Sequence, residues 1–108
     1  MPFKMVTAYI RMENLAPTEE RLRQRGAPGV SVSRVKGFGE HANFFRGDWC
    51  TPHARVEVLV EEAEVPDLVS ALLDGAHTGL AGDGIIAVLP VEAAYRIREM
   101  RPLDPAER

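Results

Sequence analysis

Three groups of residues in this chain have types and spacings that suit chemistry. The first is the run Thr78-Gly79-Leu80-Ala81-Gly82-Asp83-Gly84. Glycine lets the backbone come close to a ligand, so such a turn can offer N–H groups to an anion. Glycines are also common punctuation between a helix and a strand, and spacing alone does not exclude that reading. The second group is Arg96 and Arg98. In an extended segment they fall on one side, with Ile97 turned inward. Two guanidiniums in a row, each a fixed fork of donors, suit a polyphosphate. They would equally discourage pairing at an exposed sheet edge. The third group is His41, Cys50 and His53, all capable of binding a metal. Their spacings, H-x8-C and C-x2-H, match no standard zinc pattern. Asp48 could complete a site, and a solvated loop is the competing reading. No nucleophile–base pair is apparent, which argues against a hydrolytic enzyme.

These groups must be held by a small domain. The chain has 108 residues, enough for one unit with a modest core. We assign residues 1–100 to that domain and expect 101–108, with two prolines and four charges, to be a loose tail. The net charge of −3 argues against nonspecific nucleic-acid binding, which needs a basic face. A single cysteine excludes an internal disulfide and points to a reducing, cytoplasmic setting. No apolar stretch has the length of a membrane span, and the N-terminal residues do not form a signal peptide, so no direct membrane insertion is expected.

The apolar pattern supplies the elements. Residues 3–12 read as a strand. Residues 13–26 read as a helix, with Asn14 as a potential cap, arginines late and Gly26 at its end. Residues 29–38 read as a second strand. Val30 and Val32 share a face but Val35 does not, which suggests a bulge or twist near Ser33 and Arg34. Val56, Val58 and Val60 alternate with Arg55, Glu57 and Leu59 in a third strand. Leu68, Val69, Leu72, Leu73 and Ala76 make a helical stripe behind Pro66. The run from Ile85 to Val91 reads as a short strand buried on both faces. The order β-α-β-β-α-β predicts an α+β, ferredoxin-like fold: a four-stranded antiparallel sheet with both helices on one face. Its other face, with Tyr9, Ser31, Glu57 and Leu59, mixes polar and apolar residues and calls for packing against other subunits.

Five ordered motifs resemble the PII nitrogen-regulatory signalling family: VKGFG at 35–39, FFRG at 44–47, RVEVLV at 55–60, TGLAGDG at 78–84 and LPVEAAYRIR at 89–98. The resemblance implies a non-enzymatic homotrimer that binds ATP, ADP or AMP in clefts between subunits. It also implies a flexible T-loop, here residues 40–53, that docks on a transporter or enzyme. Carried over, Gly37, Phe38 and Gly39 match the nucleotide-contacting segment before that loop. Tyr9 and Ser31 fall at adenine- and ribose-lining positions, and Glu57 at a cleft glutamate. Gly82, Asp83 and Gly84 match the turn facing the phosphates, and Arg96 and Arg98 the paired phosphate-side arginines. Phe44, Phe45 and Trp49 are either anchors of the resting loop or partner contacts, where aromatics are enriched, and Arg46 matches the family's loop arginine in that partner-binding segment.

Three departures qualify what is implied. Ile85 stands where the family carries a phosphate-binding lysine, so one cation is lost. His41 and His53 replace a glutamine and a lysine that hold magnesium and 2-oxoglutarate, so sensing of that keto acid is not implied and a magnesium requirement stays open. The loop is short and lacks the modifiable tyrosine, so control by uridylylation should be lost. Two readings follow: a nucleotide-responsive regulator of a partner protein, or a trimeric module for a metal or small anion with a weakened nucleotide response.

Overall fold

Alternating small and β-branched residues make the centre of the sheet. In β1 (Phe3–Arg11) Val6, Ala8 and Ile10 point to one side, and in β3 (His53–Glu61) Ala54, Val56, Val58 and Val60 do the same. The strands run antiparallel, with Val6 opposite Val58, Ala8 opposite Val56 and Ile10 opposite Ala54. All of these are buried, beneath Leu22 of α1 (Leu15–Gln24) and Leu68, Ala71, Leu72 and Ala76 of α2 (Val65–Ala76). With β2 (Val30–Val35) and β4 (Gly84–Val91) the sheet order is β2-β3-β1-β4, all antiparallel. This is the ferredoxin-like arrangement expected from the pattern. The structure, a computed structural model, describes residues 3–27, 29–35, 52–80 and 82–104. Among these, no helix is long and apolar enough to cross a membrane.

Each helix is entered through a single 3₁₀ turn, Met12–Asn14 before α1 and Glu62–Glu64 before α2. The turn changes what Asn14 does. Leu15 N–H bonds to the Met12 carbonyl, Pro17 at the third helical position has no N–H to offer, and the Asn14 side chain makes no cap. Instead Asn14 Nδ2 donates to the Ala76 carbonyl at 3.3 Å and ties the start of α1 to the end of α2. α1 ends with Gly26 N–H bonded to the Arg23 carbonyl and Ala27 N–H to that of Leu22, the paired closure that satisfies terminal carbonyls.

Three expectations need correction. β2 carries no bulge: it pairs with β3 without a break from Val30–Val58 to Val35–His53. Val35 lies on the uncovered face with Ser31 and Ser33, opposite His53, so no slip is needed. β4 is not buried on both faces, since it is an edge strand and Ile85, Val88 and Leu89 are exposed. Beyond it, β5 (Tyr95–Arg96) and β6 (Arg101–Pro102) form a small hairpin. Residues 101 and 102, placed in the tail on composition, are thus paired, and Leu103 N–H bonds to the Ala94 carbonyl at 2.8 Å.

The helices touch most closely where Gly75 meets Thr18. A Cβ built on Gly75 would stand 2.6 Å from Thr18 Cα, a backbone atom that cannot swing away. Gly75→Ala should therefore lower unfolding free energy by about 1–3 kcal/mol through overpacking. In an open helix the same change would raise it by roughly 0.5–1 kcal/mol. Urea unfolding of the two proteins distinguishes the signs.

Candidate functional site

The glycine turn sits at one end of the sheet, where four segments converge. β1 ends there at Arg11, β2 at Val35, β3 begins at His53 and β4 begins at Gly84. The segment joining Val35 to His53 leaves and returns at this end. Gly84 enters β4 at φ 109°, and a Cβ on it would lie 1.7 Å from the Tyr9 carbonyl oxygen. No other residue type fits.

The turn is closed by Asp83. Its carboxylate accepts from Thr78 N–H and Gly79 N–H, each at 2.9 Å, and from the Thr78 hydroxyl. Thr78 Oγ1 accepts in turn from Leu80 N–H at 3.1 Å. From β1, Arg11 Nε approaches Asp83 Oδ1 at 3.5 Å. Burial works to raise the Asp83 pKa. Against it act the bonds from the Thr78 hydroxyl, the N–H groups of Thr78 and Gly79, and Arg11, which together bring it from the ordinary 3.8 to about 2.

His53 is 1% exposed, and its Nε2 lies 3.4 Å from the Gly82 carbonyl. A carbonyl only accepts, so Nε2 carries the proton in this contact. His53 thus fastens the start of β3 to the glycine turn. Among the described residues no group of three potential metal ligands comes together. His41, Asp48 and Cys50 lie outside the described residues, as do Gly37, Phe38, Gly39, Phe44, Phe45, Arg46 and Trp49.

Tyr9, Ser31, Glu57 and Leu59 share the uncovered face, with Ser31 opposite Glu57 and Tyr9 between Arg55 and Ile85. Thr7 Oγ1 donates to Glu57 Oε2 at 3.4 Å and Arg55 Nε to Ser33 Oγ at 3.2 Å. Next to the turn a groove of about 510 Å³ runs between β4 and α2, walled by Tyr9, Ile10, Leu72, Leu73, Ile85 and Ile86 among others. The wall is mostly apolar, and Ile85 puts no cation there.

Arg96 and Arg98 are elsewhere. β4 runs from Gly84, beside Ile10, to Val91, beside Phe3, so the hairpin leaves from the opposite end of the sheet. Arg96 lies in β5 and Arg98 in the turn that follows. Ile97 is 92% exposed rather than turned inward, because residues 97–100 form a turn and not a strand. Among the described residues, the hairpin makes no extensive contact with another element. One chain therefore gathers Tyr9 and the turn but places half-buried Arg96 and exposed Arg98 at its far end.

Sequence reading missed Arg11 and Thr78, the two side chains that engage Asp83. A hydroxyl five residues ahead of an aspartate across a glycine turn was a usable signal for Thr78. A charge ending an apolar strand, as at Arg11, is too common to be one.

The fold is a ferredoxin-like α+β domain with a closed glycine turn at the root of a long connection, a scaffold that by itself fixes no function. Comparison with known proteins specifies it. The family model for nitrogen regulatory protein P-II matches residues 3–101. The nitrogen regulatory protein P-II of Azospirillum brasilense is 37% identical, the match covering 88% of this chain and 91% of that one. GlnK2 of Haloferax mediterranei is also 37% identical, over 88% of this chain and 83% of its own. The crystal structure of Arabidopsis thaliana PII bound to citrate superposes with a TM-score of 0.82 at 32% identity, covering 98% of this chain and 92% of that one. The chain belongs to the nitrogen regulatory protein P-II family, whose named members are regulators rather than enzymes.

Asp83 sets an acid limit on the turn. Its folded pKa lies below its ordinary 3.8, so its stabilising bonds are fully present above that value and lost as pH falls through about 2. Carboxyl chemical shifts followed by NMR should show Asp83 titrating near 2. Asp83→Asn should remove that part of the acid dependence of stability.

Proposed function

We propose that this chain is a homotrimeric regulator that binds an adenine nucleotide in clefts between subunits and controls a partner transporter or enzyme through residues 40–53. One observation carries the reading: a closed, glycine-walled turn fastened by His53 to the strand that receives the partner-facing segment. A ligand held by the turn is then mechanically close to that segment. It can bias the segment's conformations if it binds them with different affinity.

Assembly supplies what one chain lacks. β4 exposes Ile85, Val88 and Leu89, and the uncovered face mixes apolar residues with the Thr7–Glu57 and Arg55–Ser33 pairs. Copies packed through this face would bury that surface. They could also bring the hairpin of one copy, with Arg96 and Arg98, to the turn of another. In that arrangement Tyr9 and Ser31 line the adenine and ribose, Glu57 faces the cleft, and Gly82 and Gly84 approach the phosphates with Gly37, Phe38 and Gly39. The partner contacts are Phe44, Phe45, Arg46 and Trp49.

A second reading rests on Ile85 and the apolar wall beside the turn. Ile85 leaves the phosphate end one cation short and weakens nucleotide binding, so a small anion such as a polycarboxylate, the class bound by the Arabidopsis relative, is the alternative ligand. The contact between His53 Nε2 and the Gly82 carbonyl gives the metal form of this reading no support.

Light scattering should return about three times the 11.9 kDa chain mass. A monomer at micromolar concentration would contradict the assembly. Calorimetric titration with ATP, ADP, AMP and citrate, with and without magnesium, separates the two readings. Arg96→Ala or Arg98→Ala should cost roughly 1.5–3 kcal/mol of ATP affinity if each makes a charge-assisted bond to phosphate. Ile85→Lys should shift preference from AMP toward ATP.

A further inference from the structure

An aspartate is the wrong charge for the middle of an anion-binding turn, yet Asp83 stands between the two glycines that shape it. The geometry points to an inward role: we infer that Asp83 and Thr78 are positioning residues for the anionic end of the ligand, with Arg11 offsetting part of the charge that this positioning requires. The inference rests on the nucleotide reading above and assigns Asp83 a task other than facing phosphate. Both carboxylate oxygens are engaged within the chain, Oδ2 by the N–H groups of Thr78 and Gly79, Oδ1 by the Thr78 hydroxyl and Arg11. The N–H groups just past α2 are therefore taken by an internal anion, not held open for an external one. What Asp83 contributes is shape: it draws the two ends of the turn together, leaving Gly82 and Gly84 at φ 93° and 109°.

Arg11 completes the device. α2 ends at Ala76, and the carbonyls of a helix C-terminus disfavour a nearby carboxylate. The Arg11 guanidinium, anchored on β1 and largely buried, offsets that field at Asp83. The turn thereby keeps an aspartate as a clasp whose charge Arg11 offsets in part, Glu13 Oε1 also lying 3.9 Å from that guanidinium.

Simple charge and positioning predict opposite signs, which makes the inference testable. Removing a negative charge beside a phosphate should strengthen ATP binding, whereas removing a clasp should weaken it. The full-length protein is titrated calorimetrically with ATP and with adenosine, as wild type, Asp83→Asn, Thr78→Val and Thr78→Ser. Scattering mass and thermal unfolding serve as checks that each variant is folded. Asp83→Asn should weaken ATP by at least about tenfold and adenosine by no more than about twofold, because only the anionic end depends on the turn. Thr78→Val should lose ATP affinity in the same selective way, and Thr78→Ser, which keeps the hydroxyl, should restore it. If Asp83→Asn does not fold, the valine–serine pair decides alone. ATP affinity unchanged or improved in Asp83→Asn would overturn the inference. Equal losses for ATP and adenosine would overturn it too, since the turn would then be only a support of the fold. Absence of ATP binding by the wild type would instead overturn the nucleotide reading and take this inference with it.

Discussion

The start of β4 runs so close to β1 that a side-chain carbon on Gly84 would stand 1.7 Å from the Tyr9 carbonyl oxygen. Much of the molecule is arranged around that approach. It brings the glycine turn against the strand end that carries Arg11, where the turn's own aspartate finds its counter-charge. It also sets the turn against His53, buried at the neighbouring strand end. Around it lie the ends of β1 and β2 and the starts of β3 and β4.

Two kinds of surface meet at that place, and they differ in origin. The interior between sheet and helices is almost wholly aliphatic, closed by direct contact of α1 and α2 at Thr18 and Gly75. The uncovered face instead holds threonine, glutamate, arginine and serine in cross-strand pairs, flanked by the apolar edge of β4. The buried alternation of the aliphatic face fixes strand register, and the hydrogen-bonded pairs add directional contacts on the open face.

The elements with a strong period are legible in the amino-acid pattern. Val56, Val58 and Val60 announce β3, and Leu68, Leu72 and Ala76 announce the buried stripe of α2. Other features depend on what lies across the fold, which no local pattern encodes. The apolar run of β4 reads as a doubly covered strand, because a residue awaiting another surface looks like one already buried. Asn14 has the composition of a cap but finds its acceptor on Ala76, sixty-two residues away. Ile97 reads as inward by alternation, and the chain turns before alternation can apply. At the site, Gly82, Asp83 and Gly84 are visible as a group. The partner that gives Asp83 its meaning, Arg11, is hidden by distance in sequence.

The pairing of Val35 with His53 has a consequence for how such a protein can diversify. The two residues are adjacent in the sheet whatever joins them, so the connecting segment spans a gap set by β2 and β3 alone. The entropy of closing a flexible connection grows only with the logarithm of its length, about 0.6 kcal/mol for each doubling. Lengthening, shortening or replacing that segment therefore leaves the sheet almost untouched. The domain behaves as a socket: its core and its glycine turn do not depend on the length of the segment that joins β2 to β3.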